Sequence, residues 1–79
     1  MKIISFGITK DITGASLQDL DFGEQPISIA DLKTLLMQKF PALSTVSTIS
    51  FAVNNAYATA ETMVTYRDEV ALIPPVSGG

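Results

Sequence analysis

The sequence predicts an α+β fold in which a mixed sheet of about five strands packs around one main helix. One amphipathic stretch with helical spacing occupies the middle of the chain, and short alternating or apolar stretches lie on both sides of it. Hydrophobic residues make up 47% of the 79 residues, which is typical of a globular protein. A chain of this length forms one domain with a small core.

The first strand is predicted over residues 2–8, where apolar side chains alternate with others. Phe6 lies on one face with two isoleucines, and Ser5 and Gly7 lie on the other face. The pattern leaves open which face meets the core. Phe6 is therefore either a core residue or an exposed contact for a partner.

Three short segments are expected before the helix. Residues 9–14 form one helical turn, which Gly14 ends in a left-handed conformation. Residues 15–20 form a second strand with Leu17 as its apolar anchor. Residues 21–26 form a loop rich in turn-forming residues.

The main helix has the strongest local signal. Ser28 is a suitable N-cap, and Asp31 three residues later gives a variant of the capping box. Pro41 disfavours helical backbone at the residue before it, so the helix is predicted over residues 29–39. Its apolar face comprises Ile29, Leu32, Leu35, Leu36 and Phe40.

A hairpin is predicted after the helix. Residues 47–53 form the third strand, and Asn54 and Asn55 tolerate the positive φ angles of a tight turn. Residues 56–58 return as a short strand carrying Tyr57.

The last part of the chain completes the sheet. Residues 60–66 form a weakly patterned connection, residues 67–69 a polar turn, and residues 70–73 an apolar final strand. This order describes a β-grasp fold, and the first and last strands are expected side by side in its centre.

The chain is predicted to end in an extended tail. Two prolines stop the last strand, because proline lacks the N–H that a sheet ladder needs. Residues 1–74 are then the β-grasp domain and residues 75–79 the tail, which ends in Gly78 and Gly79. Five extended residues reach roughly 16 Å. Glycines at the tip allow the backbone to enter a channel too narrow for side chains.

Composition excludes several classes of function. The chain has no cysteine and no histidine, so disulfides, thiolate sites and histidine chemistry are excluded. Its net charge of −3, with five scattered Lys and Arg residues, does not fit a nucleic-acid-binding protein. No apolar run is long enough to span a membrane, and no signal peptide is recognisable. We expect a cytoplasmic protein.

No cation or phosphate site is expected. The chain has no calcium-loop spacing and no Gly-rich phosphate loop. The acidic residues that might suggest a metal are interpreted as solvated turn residues: Asp19, Asp21, Glu24, Asp68 and Glu69.

Residues 70–79, with the sequence VALIPPVSGG, resemble the C-terminal signature of the MoaD-type small subunit of molybdopterin synthase, a ubiquitin-like sulfur carrier. Residues 53–57, 68–70 and 32–43 resemble the hairpin, the last turn and the helix exit of that family. The chain is identified as a member on these segments. It departs from the usual pattern at two places, Gly7 for alanine and Arg67 for glycine.

The resemblance implies a mechanism that needs two partners. An adenylyltransferase similar to ubiquitin E1 would use ATP to adenylate the carboxylate of Gly79, and sulfur transfer would give a thiocarboxylate. The tail would then enter the large subunit of molybdopterin synthase, in an expected heterotetramer, and donate sulfur to cyclic pyranopterin monophosphate. This chain would bind no cofactor and would not be catalytic alone.

The resemblance also implies a docking surface. Phe6, Tyr57 and Ile73 match residues that contact both partners, and Lys10 matches a basic position nearby. From the residues alone, Tyr57 and Ile73 fit core packing equally well, and Lys10 fits a solvated lysine better. The implied partner contacts continue along the tail through Pro74, Pro75, Val76, Ser77 and Gly78 to Gly79.

Three alternatives remain. The chain could be a ubiquitin-like modifier joined through Gly79 to lysines of other proteins. It could be a sulfur carrier for thiamine thiazole synthesis, although residues 74–77 differ from the usual sequence of that family. It could also be a binding module with an inert tail.

Overall fold

The computed structural model describes residues 1–46 and 48–75. Across these residues the chain forms seven strands, two α-helices and one 3₁₀ helix. In chain order they are β1 (Lys2–Ser5), α1 (Ile8–Thr13), β2 (Leu17–Asp19), β3 (Ile27–Ser28), α2 (Ile29–Lys39), the 3₁₀ helix (Pro41–Thr45), β4 (Ser50–Val53), β5 (Ala56–Tyr57), β6 (Met63–Val64) and β7 (Glu69–Ile73).

Within the described residues, five strands form the main sheet in the order β2-β1-β7-β4-β5. β1 and β7 pair in parallel with Ser5 opposite Leu72, and β7 pairs antiparallel with β4 with Leu72 opposite Phe51. The first and last strands therefore lie side by side in the centre. This arrangement confirms the predicted β-grasp fold.

The core lies between the inner face of this sheet and α2. Ile3, Val70 and Leu72 come from the two central strands and are at most 1% exposed. Leu32 and Leu36 cover them from the helix and are equally buried. β7 thus supplies two core residues and is held by a neighbour on each side, which makes it a rigid base for whatever follows it.

The main helix has the predicted bounds. The hydroxyl of Ser28 accepts a hydrogen bond from the N–H of Asp31 at 3.1 Å, so Ser28 is the N-cap. Phe40, with φ −126° and ψ 80°, leaves the helical conformation immediately before Pro41. Pro41 begins the 3₁₀ helix instead.

The first strand is shorter than predicted. It ends at Ser5 rather than at residue 8, because Gly7 adopts φ 54° and turns the chain into α1. Helix α1 begins at Ile8, one residue before the predicted turn. Gly14 ends it at φ 91°, which confirms the predicted left-handed stop.

The prediction that Leu17 anchors the second strand was wrong. Leu17 is 57% exposed, because it pairs with Ile4 and shares the outer face of the sheet with it. The second strand itself is confined to Leu17–Asp19, and the third to Ser50–Val53.

Residues 60–66 contain a strand that the sequence pattern does not reveal. In β6, Met63 and Val64 pair with Ser28 and Ile27 of β3 and form a separate small sheet. Val64 is fully buried. Two-residue strands show no alternation, so a pairing between distant segments was needed to find them.

No helix in the described part of the chain is long and apolar enough to cross a membrane. Residues 1–46 and 48–75 also contain no group of three or more acidic residues able to hold a metal ion.

The hairpin turn is joined to the start of β7. Asn54 and Asn55 adopt φ angles of 50° and 71°, as predicted. The side-chain amide nitrogen of Asn54 donates to the carboxylate of Asp68 at 3.0 Å, and the side-chain amide oxygen accepts from the backbone N–H of Glu69 at 3.0 Å. The N–H of Thr65 donates to the same carboxylate at 2.7 Å. Asp68 therefore connects two turns.

These hydrogen bonds predict an acid-dependent loss of stability. Donation from the N–H of Thr65, and then from Asn54, lowers the pKa of Asp68 below its ordinary value of 3.8. A carboxyl with a lowered pKa in the folded state stabilises the fold above its unfolded-state pKa and loses that contribution as the pH falls. We expect the free energy of unfolding to fall more steeply below pH 3.8 in the wild type than in Asp68→Asn. Urea unfolding of both proteins across this pH range measures the free energy of unfolding. Parallel pH profiles for the wild type and Asp68→Asn would contradict the prediction.

Candidate functional site

The structure brings together three residues that are far apart in the sequence. Phe6 follows β1, Tyr57 lies in β5, and Ile73 is the last residue of β7. All three line one groove of about 250 Å³ on the outer face of the main sheet, opposite α2. We call this groove the docking groove. Its complete lining is Ile4, Phe6, Ala52, Asn55, Tyr57, Glu69, Ala71 and Ile73.

Strand register explains why these side chains converge. Ala71 of β7 lies opposite Ile4 on one side and Ala52 on the other, and Ala52 lies opposite Tyr57. Directly paired residues point to the same face of a sheet. An apolar row therefore crosses the outer face, and Leu17 opposite Ile4 extends it to the edge strand.

The exposed fractions of the Phe6 and Tyr57 side chains decide whether these residues pack in the core or are available to a partner. Phe6 is 52% exposed and Tyr57 is 78% exposed, so neither is a core residue. Ile73 is half-buried beside them. Two alanines, Ala52 and Ala71, also line the groove, and their small side chains leave room between the larger ones. Contiguous exposed apolar side chains on a small domain mark an interaction surface.

The sequence interpretation missed several residues of the groove. Ile4, Ala52 and Ala71 line it, and Leu17 lies at the end of the same row. One signal was present in β7, where Val70 and Leu72 are buried and the residues between and after them face outward. A continuous apolar run hides this alternation, because the outward-facing alanine and isoleucine are as apolar as the buried residues beside them.

Lys10 lies apart from the groove lining. It is exposed on α1 and does not line the docking groove, and its backbone carbonyl accepts the hydrogen bond that ends the helix. The structure thus confirms neither the predicted partner contact nor an alternative role, and the contact stays a prediction.

A larger groove of about 430 Å³ lies between the start of α2 and the β4–β5 hairpin. Tyr57 lines both grooves. The larger one is lined by Lys33, Ser50 and Thr59 beside apolar residues, and it does not include the end of β7. The docking groove is the better candidate because Ile73 connects it directly to the C-terminal segment.

The chain leaves the sheet beside the docking groove. Pro74 follows the last residue of β7 and is half-buried, and Pro75 is exposed. Neither extends the strand, as predicted. The remaining predicted site residues lie outside the described part of the chain: Val76, Ser77, Gly78 and Gly79.

The fold and the site define a class of protein. It is a β-grasp domain whose central strand β7 is followed by two prolines, with an exposed apolar groove next to the point where the chain leaves the sheet. Comparison with known families agrees: the ThiS family matches residues 3–79. The chain belongs to the ThiS family, and the predicted family resemblance is confirmed.

Curated relatives cover the whole chain. The chain is 38% identical to a protein of Arabidopsis thaliana named molybdopterin synthase sulfur carrier subunit, over 100% of this chain and 82% of that protein. It is 32% identical to the protein of the same name from Chlamydomonas reinhardtii, over 100% of this chain and 98% of the relative.

Solved structures share the fold. SAMP1 from Haloferax volcanii superimposes with a TM-score of 0.81 at 27% identity, over 100% of this chain and 98% of the other. A Pyrococcus furiosus protein described as a putative molybdopterin converting factor, subunit 1, superimposes with a TM-score of 0.82 over 95% of each chain. At 18% identity, this second likeness concerns the fold alone.

Proposed function

We propose that the protein is the sulfur carrier subunit of a molybdopterin synthase. The observation that carries the proposal is the docking groove of Phe6, Tyr57 and Ile73 beside the exit of a strand that leads to Gly78 and Gly79. Relatives that match the whole chain bear this name.

The proposed chemistry takes place at the carboxyl terminus. An oxygen of the Gly79 carboxylate attacks the α-phosphate of ATP, and pyrophosphate leaves. Hydrosulfide (HS⁻) then attacks the carbonyl carbon of the acyl-adenylate, the C–O bond to AMP breaks, and AMP leaves. The resulting thiocarboxylate is ionised at neutral pH and is itself a nucleophile. A chain without cysteine or histidine can therefore deliver sulfur without a reactive side chain.

Two partners would use the docking groove in turn. The adenylyltransferase loads the terminus, and the large subunit receives the sulfur for transfer to cyclic pyranopterin monophosphate. Both partners need the terminus in their own active site, so one must release the chain before the other binds. The bases and substrate contacts of both reactions belong to the partners. A heterotetrameric synthase in the cytoplasm is part of the same proposal.

One observation favours a second function. SAMP1 from Haloferax volcanii is described as a small archaeal modifier protein, and its crystal structure resembles this chain along its full length. A modifier would use the same adenylated Gly79 but would form an isopeptide bond with a lysine of a target protein. The fold and the terminus serve either chemistry, so the two functions must be distinguished at the terminus itself.

Intact-mass analysis of the chain purified from its native host distinguishes them. We expect a fraction of the protein with one terminal oxygen replaced by sulfur. The modification should disappear on treatment with an alkylating reagent that caps thiocarboxylates, with the corresponding adduct appearing instead. Isopeptide-linked conjugates without any thiocarboxylate would support the modifier and contradict the sulfur carrier.

A further inference from the structure

The turn between β1 and α1 lies directly against the exit of the tail. Gly7 adopts φ 54° and ψ −129°, a conformation that side chains with a Cβ rarely adopt. A Cβ at this position would lie 3.4 Å from Cγ of Pro74. The backbone of the turn therefore faces the proline ring that begins the departure from the sheet.

Thr9 connects this turn to the last strand. Its side chain is fully buried, and its hydroxyl oxygen accepts a hydrogen bond from the N–H of Phe6 at 2.9 Å. The hydroxyl can donate to the carbonyl of Phe6 at 2.6 Å or to the carbonyl of Leu72 at 3.3 Å. The Thr9 hydroxyl thus lies between Phe6, which lines the docking groove, and Leu72, which is two positions before Pro74.

A pair of buried hydroxyls also connects α1 to the sheet. The hydroxyl of Thr13 donates to the hydroxyl of Ser5 at 3.0 Å, and both side chains are buried. Among the described residues, no buried side-chain oxygen or nitrogen lacks a hydrogen-bond partner. Apolar packing would cover the sheet at lower desolvation cost. A fully satisfied set of buried polar contacts instead fixes one geometry, because hydrogen bonds are directional.

We propose that Thr9 and Gly7 are positioning residues for the tail. They fix the direction in which the chain leaves the sheet at Pro74 relative to the docking groove. When a partner binds the groove, Pro74 then has a fixed position and direction relative to that partner. This inference rests on the proposed function of the tail, but it concerns geometry that can be measured without that function.

The decisive variants are Thr9→Val, which keeps the shape and removes the hydroxyl, and Thr9→Ser, which keeps the hydroxyl. Each is prepared as the thiocarboxylate and mixed with the large subunit in a single-turnover assay. For Thr9→Val, we expect the transfer rate at saturating large subunit to fall about tenfold, because small displacements of a reacting group are costly. The dissociation constant should change by less than about threefold, since the groove is retained. Thr9→Ser should restore the rate.

A matched glycine pair tests the turn. Gly7 and Gly23 both adopt positive φ, but an added Cβ contacts Pro74 only at Gly7, and at Gly23 it meets nothing within 4 Å. Both Gly7→Ala and Gly23→Ala should lower the melting temperature because of their backbone strain. Gly7→Ala alone should lower the saturated transfer rate.

A distance measurement separates this inference from the proposed function. The chain has no cysteine, so Thr45→Cys and Ser77→Cys can carry a single pair of spin labels. We expect a broader distance distribution in Thr9→Val than in the wild-type background, and recovery in Thr9→Ser. If the wild type donates no sulfur, the proposed function fails and the label distances still decide the inference. Unchanged distances in Thr9→Val, or a full transfer rate, would overturn the positioning role.

Discussion

Removal of Gly79 is expected to reduce sulfur donation by more than 100-fold while the domain remains folded. The deletion leaves a carboxylate on Gly78, which can in principle be adenylated, but the reacting carbon is withdrawn by about 3.5 Å. A misplacement of about 1 Å can already cost 100-fold in rate. Synthesis of molybdopterin from its precursor, with purified activating enzyme and large subunit, measures the effect.

The matched control is Gly79→Ala, which keeps the length and adds one methyl group. It separates the reach of the tail from the narrowness of the channel: a slow but active Gly79→Ala and an inactive deletion indicate that reach dominates. Both variants should melt at the wild-type temperature, because within residues 1–46 and 48–75 the last buried core residue is Leu72 of β7. Undiminished molybdopterin synthesis by the shortened chain would refute the proposed function.

Phe6→Asp is expected to weaken binding to the large subunit by about 100-fold with the fold intact. An exposed aromatic side chain that a partner buries is a typical source of binding energy, and a carboxylate in its place would lose hydration without gaining a partner. The fold should survive because the side chain is 52% exposed. Its hydrogen bonds to Thr9 are made by the backbone. Isothermal titration with the purified large subunit measures the affinity.

Met63→Asp is the control for this substitution. Met63 is 56% exposed, but it lies on β6 in the small sheet and does not line the docking groove. The same charge change there should leave the affinity unaltered. Equal binding by wild type and Phe6→Asp would show that the interface lies outside the docking groove, and unfolding of Phe6→Asp would contradict the expectation that the fold survives the substitution.

The two predictions separate docking from chemistry. Phe6→Asp should raise the concentration of large subunit that is needed but leave the transfer rate at saturation almost unchanged. Deletion of Gly79 should lower the transfer rate at saturation but leave the required concentration of large subunit almost unchanged. Ile73 belongs to both features, since it lines the groove and immediately precedes Pro74. Substitutions at Ile73 are therefore expected to affect binding and rate together.

The sequence was most informative where structure depends on local chemistry. Ser28 and Pro41 set the bounds of α2, because an N-cap hydroxyl and proline's restriction of the preceding residue both act within one helical turn. Gly14 and the Asn54–Asn55 pair marked turns for the same local reason, their tolerance of positive φ. The order of these elements was enough to predict a β-grasp domain.

Only the tertiary structure decided which faces are buried and which distant residues meet. The exposure of Leu17 follows from strand register, because its pairing with Ile4 assigns it to the outer face of the sheet. Phe6 lies beyond the end of β1, and only the folded chain shows that its side chain is 52% exposed. β6 forms only through its pairing with β3, and the docking groove exists only because β7 lies between β1 and β4. Alternation along a strand shows which residues share a face, but it does not show which of the two faces is buried. The packing of α2 against one face of the sheet distinguishes core from surface.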